Sequence, residues 1–202
     1  FSYLFLSFFL FAIFKAKLEK RFRWLYFLPG IQLLWTNMHI YFALGPLVLF
    51  IFLIDRWVHG EYHPRFLWIF LTSTLATLLN PNFIQGAILP FNILRDYGYT
   101  IVENQSTAFL KDYGILLKQI SLFELSLIIL GLSFILAIKK GQRKITFELL
   151  AAGIFSALAL KMIRNFGLYA LLLVPILALN FRSLSNSPKP PHLKNGLLKY
   201  TI

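Results

Sequence analysis

The sequence contains no cysteine, and only eight acidic residues stand against twenty lysines and arginines. The absence of cysteine excludes disulfides and thiolate metal sites. No acid-rich metal motif occurs either, and the one i,i+4 histidine pair, His59 and His63, falls in an expected loop. We therefore expect no metal site in this chain, and its residues identify no cofactor.

Apolar side chains are what the sequence has in excess: 58% of its residues are hydrophobic, and it contains 22 phenylalanines. A soluble domain of 202 residues cannot bury so large an apolar fraction, so the composition indicates a membrane protein. Apolar runs near the length that crosses a bilayer occur at 1–14, 40–54, 66–79, 122–138, 147–160 and 166–179, with a shorter run at 24–35.

The basic residues are concentrated in three stretches, at 15–23, at 139–144 and in the tail from 182 onwards. By the positive-inside rule these stretches are cytoplasmic, whereas the charge-balanced segment 80–120 is the expected outer face. The net charge of +12 would indicate nucleic acid in a soluble protein. Because the tail has no interleaved aromatic residues, we expect no nucleic-acid partner and instead a disordered segment beside anionic membrane lipid.

If the basic stretches are cytoplasmic and segment 80–120 is outside, the path of the chain between them requires two tight hairpins. Residues 24–54 go out and come back, with their outer turn at 35–39. The run 147–179, about 33 residues long, exceeds the roughly 30 Å apolar core at 1.5 Å per residue, so it is expected to break near 161–167. The short arms leave re-entrant hairpins open as an alternative to full crossings.

The sequence thus predicts an all-α, polytopic transmembrane helix bundle with about seven membrane segments, some of them short or re-entrant. Residues 1–181 form the transmembrane domain, and residues 182–202 form a basic, proline-containing cytoplasmic tail. The outer loop is expected to carry an interfacial helix at 83–94. Since the first run has neither a basic flank nor a cleavage site, we expect the chain to be a fragment whose N-terminal part is missing.

Polar residues in so apolar a chain need a reason, and Asn37 and His39 lie at the predicted outer turn. One interpretation of His39 is an interfacial histidine that caps the hairpin; the alternative is a role in binding a substrate or a metal. On a continuous helix Asn37 and His39 would point about 200° apart, so they share one cavity only if the helix breaks between them.

The second predicted outer turn and the outer loop supply the other candidates. Lys161 and Arg164 lie at membrane depth, where cations mark anion sites or ion pairs unless they extend to the interface. Glu103 lies between an apolar pair and the polar Asn104, so it is a candidate for facing a cavity; the alternative is a loop carboxylate that is solvated or paired with a nearby base. We expect 35–39, 80–106 and 161–165 to meet at one outer cavity.

Four stretches carry a resemblance to a known family: "LLWTNMHIYFALG", "LLNPNFIQGAILPF", "YTIVENQS" and "KMIRNFGLYALLLVPILA". In this order they resemble the C-terminal half of bacterial multispanning proteins of the GT-C glycosyltransferase type, over most of residues 30–180. In such proteins a W-x-N-x-H-G motif, an N-P-x-G loop, an E-x-x-S stretch and an R-N before an apolar helix recur. Here Ile40 and Phe83 stand where glycine is more usual.

The resemblance implies transfer of a sugar from a polyprenyl-phosphate donor at the outer face of the bacterial inner membrane. It also implies that the catalytic acid lies in a first outer loop, outside this chain. Asn37, His39, Glu103, Asn104, Lys161 and Arg164 are then the candidate substrate-binding residues. A polytopic transporter or flippase and a non-catalytic membrane assembly protein remain the alternatives.

Overall fold

The computed structural model describes residues 1–92, 101–142 and 144–182, and every regular element in these ranges is helical. The predicted all-α class is therefore confirmed for the described residues. The α-helices are α1 (Ser2–Glu19), α2 (Leu28–Met38), α3 (Leu44–Val58), α4 (Pro64–Ala76), α5 (Phe83–Asn92), α6 (Thr107–Asp112), α7 (Leu117–Lys139), α8 (Thr146–Lys161) and α9 (Phe166–Arg182). Short 3₁₀ turns at Phe22–Phe27, Ile40–Ala43, Val102–Asn104 and Ile163–Asn165 connect them.

Within the described residues, seven helical segments run back and forth between two ends of the bundle, which we name the Arg164 end and the Asp55 end. Helix α1 begins at the Arg164 end, where Ser2 contacts His39, and finishes at the Asp55 end, where Lys17 contacts Asp55. The segment 22–38, α3, α4, α7, α8 and α9 then alternate in direction. This is the path that the charge pattern predicts, although the side of the membrane that each end faces stays a prediction.

Three helical segments in the described ranges are long and apolar enough to cross a membrane: Ile40–Val58, Leu117–Lys139 and Ile163–Arg182. They confirm the membrane character of the chain. The other four segments of the bundle are shorter or more charged than these three. For example, α4 has 13 residues and α8 has 16. Whether all seven cross therefore stays a prediction, as do the re-entrant hairpins.

The core of the bundle is built from large aromatic side chains. Trp35 is fully buried and packs against Phe5 and Phe9 of α1, with both ring centroids 5.7 Å away. At the other end of α1, the Phe14 ring meets the edge of Phe147 on α8. Edge-to-face pairs of this kind add roughly 0.5–1.5 kcal/mol beyond the area that they bury. They hold α1 between α2 and α8.

One close helix crossing depends on a glycine. The side-chain amide of Gln32 is fully buried, and its Nε2 donates to the carbonyl oxygen of Phe42 at 3.0 Å. A Cβ atom added at Gly45 would lie 2.0 Å from the Gln32 Oε1 atom. Gly45 therefore gives the buried amide the space in which it ties α2 to the 3₁₀ turn before α3.

Both predicted outer turns are present at the Arg164 end. Helix α2 ends at Met38, and His39 is extended (φ −162°) before the 3₁₀ turn Ile40–Ala43. Helix α8 ends at Lys161, and an extended Met162 leads into the second turn before α9. Helix α5 begins at the expected residue and is described as far as residue 92, with none of its residues buried; its position at a membrane interface stays a prediction. Residues 93–94 of that helix, Arg143 and tail residues 183–202 lie outside the described part of the chain.

Candidate functional site

A cavity of about 470 Å³ lies at the Arg164 end, between α3, α4, α5 and the turn that joins α8 to α9. We name it the Arg164 cavity. Its walls are mostly apolar and include Phe50, Phe70 and Phe91. Two cations, Lys161 and Arg164, also line it. A volume of this size is within the usual range for small-molecule sites, which combine apolar walls with a few polar groups.

Arg164 is held in place by contacts with neutral groups. Its Nη1 donates to Asn104 Oδ1 at 2.8 Å, and its guanidinium carbon lies 5.3 Å from the ring centroid of Tyr41. A guanidinium carries five N–H donors. Within the described residues Arg164 forms no ion pair, and Lys161 has neither an ion pair nor a hydrogen bond. The cavity is therefore cationic at one place and apolar elsewhere.

The turn that carries Arg164 is fixed by partly buried hydrogen bonds. The Tyr41 hydroxyl donates to Asn165 Oδ1 at 3.0 Å, and Asn165 Nδ2 donates to the carbonyl oxygen of Leu158 at 2.8 Å. The backbone N–H of Ile163 donates to the carbonyl oxygen of Gln105 at 3.2 Å. These contacts join the turn to Tyr41 in the first hairpin and to the 101–106 loop, so the three predicted segments lie close together. None of residues 35–39 or 101–106 lines the cavity itself.

His39 lies beside this cavity rather than on its wall. Its Nδ1 accepts from the backbone N–H of Tyr41 at 3.3 Å and lies 2.9 Å from Ser2 Oγ. Its ring centroid is 5.3 Å from that of Tyr41, so His39 and Arg164 both lie against the Tyr41 ring. Partial burial lowers the pKa of His39, and the charge of Arg164 lowers it further. The cap expected from the first interpretation is thus present, beside the Arg164 cavity.

The remaining candidate residues differ in how they are placed. Asn104 holds Arg164, and Glu103 precedes it in an exposed turn. Neither lines the cavity. Asn37 is exposed, and its Nδ2 donates to the carbonyl oxygens of Leu33 and Leu79, each at 2.9 Å. Its visible contacts therefore tie α2 to the end of α4, away from the cavity walls.

Sequence reasoning missed the importance of Tyr41, which touches Arg164, Asn165 and His39 and lines the cavity. One aromatic residue among so many carries no signal of its own. Its position two residues after His39, on the far side of the helix break, was the only clue available.

Sequence reasoning also missed a buried charge cluster at the Asp55 end, formed by Lys17, Asp55, Arg56 and Glu148. Each of these side chains is at most 5% exposed. Lys17 Nζ lies 2.9 Å from Asp55 Oδ1 and 2.9 Å from Glu148 Oε2, and Arg56 pairs with Asp55. The backbone N–H of Phe147 also donates to Asp55, at 3.0 Å. The cluster ties α1, α3 and α8 together.

Glu61 forms a more exposed layer over this cluster. It pairs with Arg56, with Lys20 at 2.8 Å and with Lys144 at 2.5 Å. Hydrogen bonds from Lys144 and Lys20 lower its pKa to about 2. At the Asp55 end, acidic and basic side chains are therefore paired with one another, whereas Lys161 and Arg164 at the Arg164 end form no ion pair with any described residue.

Within the described ranges, no group of three or more metal-ligating side chains is close enough to hold a metal ion. Comparisons with protein families, curated proteins and solved structures found no match. The function proposed below therefore depends on the geometry of the chain and on the motif resemblance.

Proposed function

We propose that the Arg164 cavity binds the phosphate of a polyprenyl-phosphate-linked sugar, and that the chain belongs to a membrane glycosyltransferase acting at the extracytoplasmic face. The observation that carries the proposal is the pair Lys161 and Arg164, which line an otherwise apolar cavity with no acidic partner among the described residues. An apolar chain and an anionic head are the two features that such a surface complements.

The two cations have a clear part in this chemistry. An acceptor hydroxyl attacks the anomeric carbon of the sugar, and the bond between that carbon and the phosphate oxygen breaks. The electron pair stays on the phosphate, which gains one negative charge, while the hydroxyl proton goes to a base. Fixed donors aimed at the developing charge stabilise the transition state more than the ground state. Arg164 and Lys161 supply such donors.

Turnover of full-length protein with a labelled polyprenyl-phosphate sugar tests the proposal. Arg164→Gln removes a charge-assisted hydrogen bond, which contributes about 1.5–3 kcal/mol, so turnover should fall about tenfold to a hundredfold. Arg164→Lys keeps the charge but loses the bidentate fork, and we expect a loss of about 1–3 kcal/mol. Lys118→Gln, a cation at the start of α7 outside the cavity, is the matched control. Equal turnover in all three variants would contradict the proposal.

The transporter or flippase alternative has one observation in its favour, the charge cluster at the Asp55 end. Buried ionisable groups in membrane segments often mark transport pathways. Here, however, the buried acids and bases neutralise one another and join three helices, as a structural contact does. Movement of a fluorescent polyprenyl phosphate between the leaflets of protein-containing vesicles, without sugar transfer, would favour the alternative.

A further inference from the structure

The hydrogen bonds around His39 have a fixed direction. A backbone N–H can only donate, so the contact from Tyr41 makes His39 Nδ1 an acceptor. The indole N–H of Trp35 can also only donate, and it donates to Ser2 Oγ at 3.0 Å. The Ser2 hydroxyl, which accepts from Trp35, is then free to donate its own proton to His39 Nδ1, 2.9 Å away. With Nδ1 fixed as an acceptor by the Tyr41 N–H, this is the direction that satisfies all three groups.

These contacts determine which nitrogen of His39 carries the proton. Because Nδ1 accepts from both Ser2 and Tyr41, the neutral ring carries its hydrogen on Nε2. Within the described residues Nε2 has no hydrogen-bond partner. A general base needs an acceptor nitrogen that faces the substrate, and the acceptor nitrogen of His39 is occupied. His39 is therefore a donor toward whatever lies at Nε2.

We propose that His39 donates its Nε2 hydrogen to the phosphate of the ligand that Arg164 binds, and that Trp35 and Ser2 position the ring for this role. The inference rests on the proposed function, since it takes a lipid phosphate as the ligand of the cavity. Arg164 and His39 lie against the same Tyr41 ring, each 5.3 Å from its centroid. Tyr41 also lines the cavity, so a phosphate at this edge of the cavity presents oxygens that can accept from Arg164 and from His39 together.

Nitrogen NMR of full-length protein containing ¹⁵N-labelled histidine tests the tautomer, because the shifts of the two ring nitrogens differ between tautomers. At neutral pH we expect His39, assigned by its loss in His39→Asn, to be the neutral form protonated at Nε2. Its Nε2 signal should then shift when farnesyl phosphate, the probe, is added, and should not shift with farnesol. A signal of the form protonated at Nδ1, or no shift with bound farnesyl phosphate, would overturn the inference.

Affinity for farnesyl phosphate separates the donor role from the capping role. In His39→Asn a side-chain oxygen can still accept from the Tyr41 N–H, as asparagine does at helix starts, but the Nε2 donor is lost. We expect affinity to fall about tenfold, with the thermal midpoint nearly unchanged. His63→Asn is the matched control, since His63 Nδ1 caps α4 by accepting from the Arg65 N–H at 3.2 Å at the opposite end.

The outcomes of these experiments distinguish the proposed role of His39 from the proposed function on which it rests. Binding that depends on Arg164 but is equal in wild type and His39→Asn would overturn the role of His39 and leave the proposed function standing. Failure of wild type to bind farnesyl phosphate at all would overturn both. Equal losses in the His39 and His63 variants would show that capping alone accounts for the effect, and would also overturn the inference.

Discussion

Replacing Lys17 by methionine should destabilise the bundle far more than the same replacement at Lys15, two residues earlier. Lys17 lies in the buried cluster, and its side chain is 4% exposed. It is the described partner of Glu148, whereas Asp55 keeps Arg56 and the Phe147 N–H. In the variant Glu148 is left as a buried charge without a partner. Removing one member of a buried ion pair costs about 3–5 kcal/mol, and we expect a loss in this range.

Lys15→Met is the matched control for this experiment. Lys15 is on the same helix and pairs with Glu19, but both side chains are about one-third exposed. Exposed pairs contribute about 0–1 kcal/mol, so the control should change the free energy of unfolding by no more than that. Adding Glu148→Gln to the Lys17→Met variant removes the unpaired charge. The double variant should therefore regain at least about 1 kcal/mol of the free energy of unfolding, because the two neighbouring residues are energetically coupled.

The free energies of unfolding can be measured by SDS titration in mixed micelles, followed by the fluorescence of the four tryptophans. The reasoning would be refuted if Lys17→Met and Lys15→Met destabilised the protein equally. It would also be refuted if Glu148→Gln made the Lys17→Met variant less stable, because the buried carboxylate would then have a partner other than Lys17.

Three further predictions follow from the fold. The pKa of Glu61 is about 2 in the folded protein, against an ordinary value of 4.5. The stability that ionised Glu61 contributes is therefore complete above pH 4.5 and is lost as the pH falls toward 2. The difference in thermal midpoint between wild type and Glu61→Gln should shrink over that pH range. Gly45→Ala drives a Cβ into the buried amide and should cost about 1–3 kcal/mol on unfolding, whereas Gly153→Ala in α8, with open space, should stabilise by about 0.5–1 kcal/mol. Single cysteines at Tyr113 and Lys140, at opposite ends of the bundle, should react with a membrane-impermeant maleimide from opposite sides, and labelling from one side only would refute the topology.

The positions of the helix breaks could be predicted from the sequence because they follow from local rules. A run too long for one crossing must turn, and cationic or polar residues mark where it does; the break between Lys161 and Phe166 is an example. The meeting of the two turns at one cavity followed from the same charge-based path. The finer roles did not follow, since Asn37 lies at the predicted turn and yet contacts the end of α4.

The buried charge cluster could not be predicted, because its contacts join residues far apart in the chain. Lys17 is 38 positions from Asp55 and 131 from Glu148. In the sequence each of them looks like an ordinary charge near the end of an apolar run. The tautomer of His39 could not be predicted from the sequence for the same reason, since it depends on a contact with Ser2, 37 positions away.

Photoaffinity labelling tests most directly whether the Arg164 cavity holds a lipid phosphate. Farnesyl phosphate with a diazirine on its chain should crosslink to the apolar walls of the cavity, at Phe50, Phe70 or Phe91, and excess unlabelled farnesyl phosphate should compete. Arg164→Gln should reduce this labelling about tenfold or more. Crosslinks found only on the exposed face of α7, at residues such as Leu125 and Leu132, and unaffected by Arg164→Gln, would contradict the central claim.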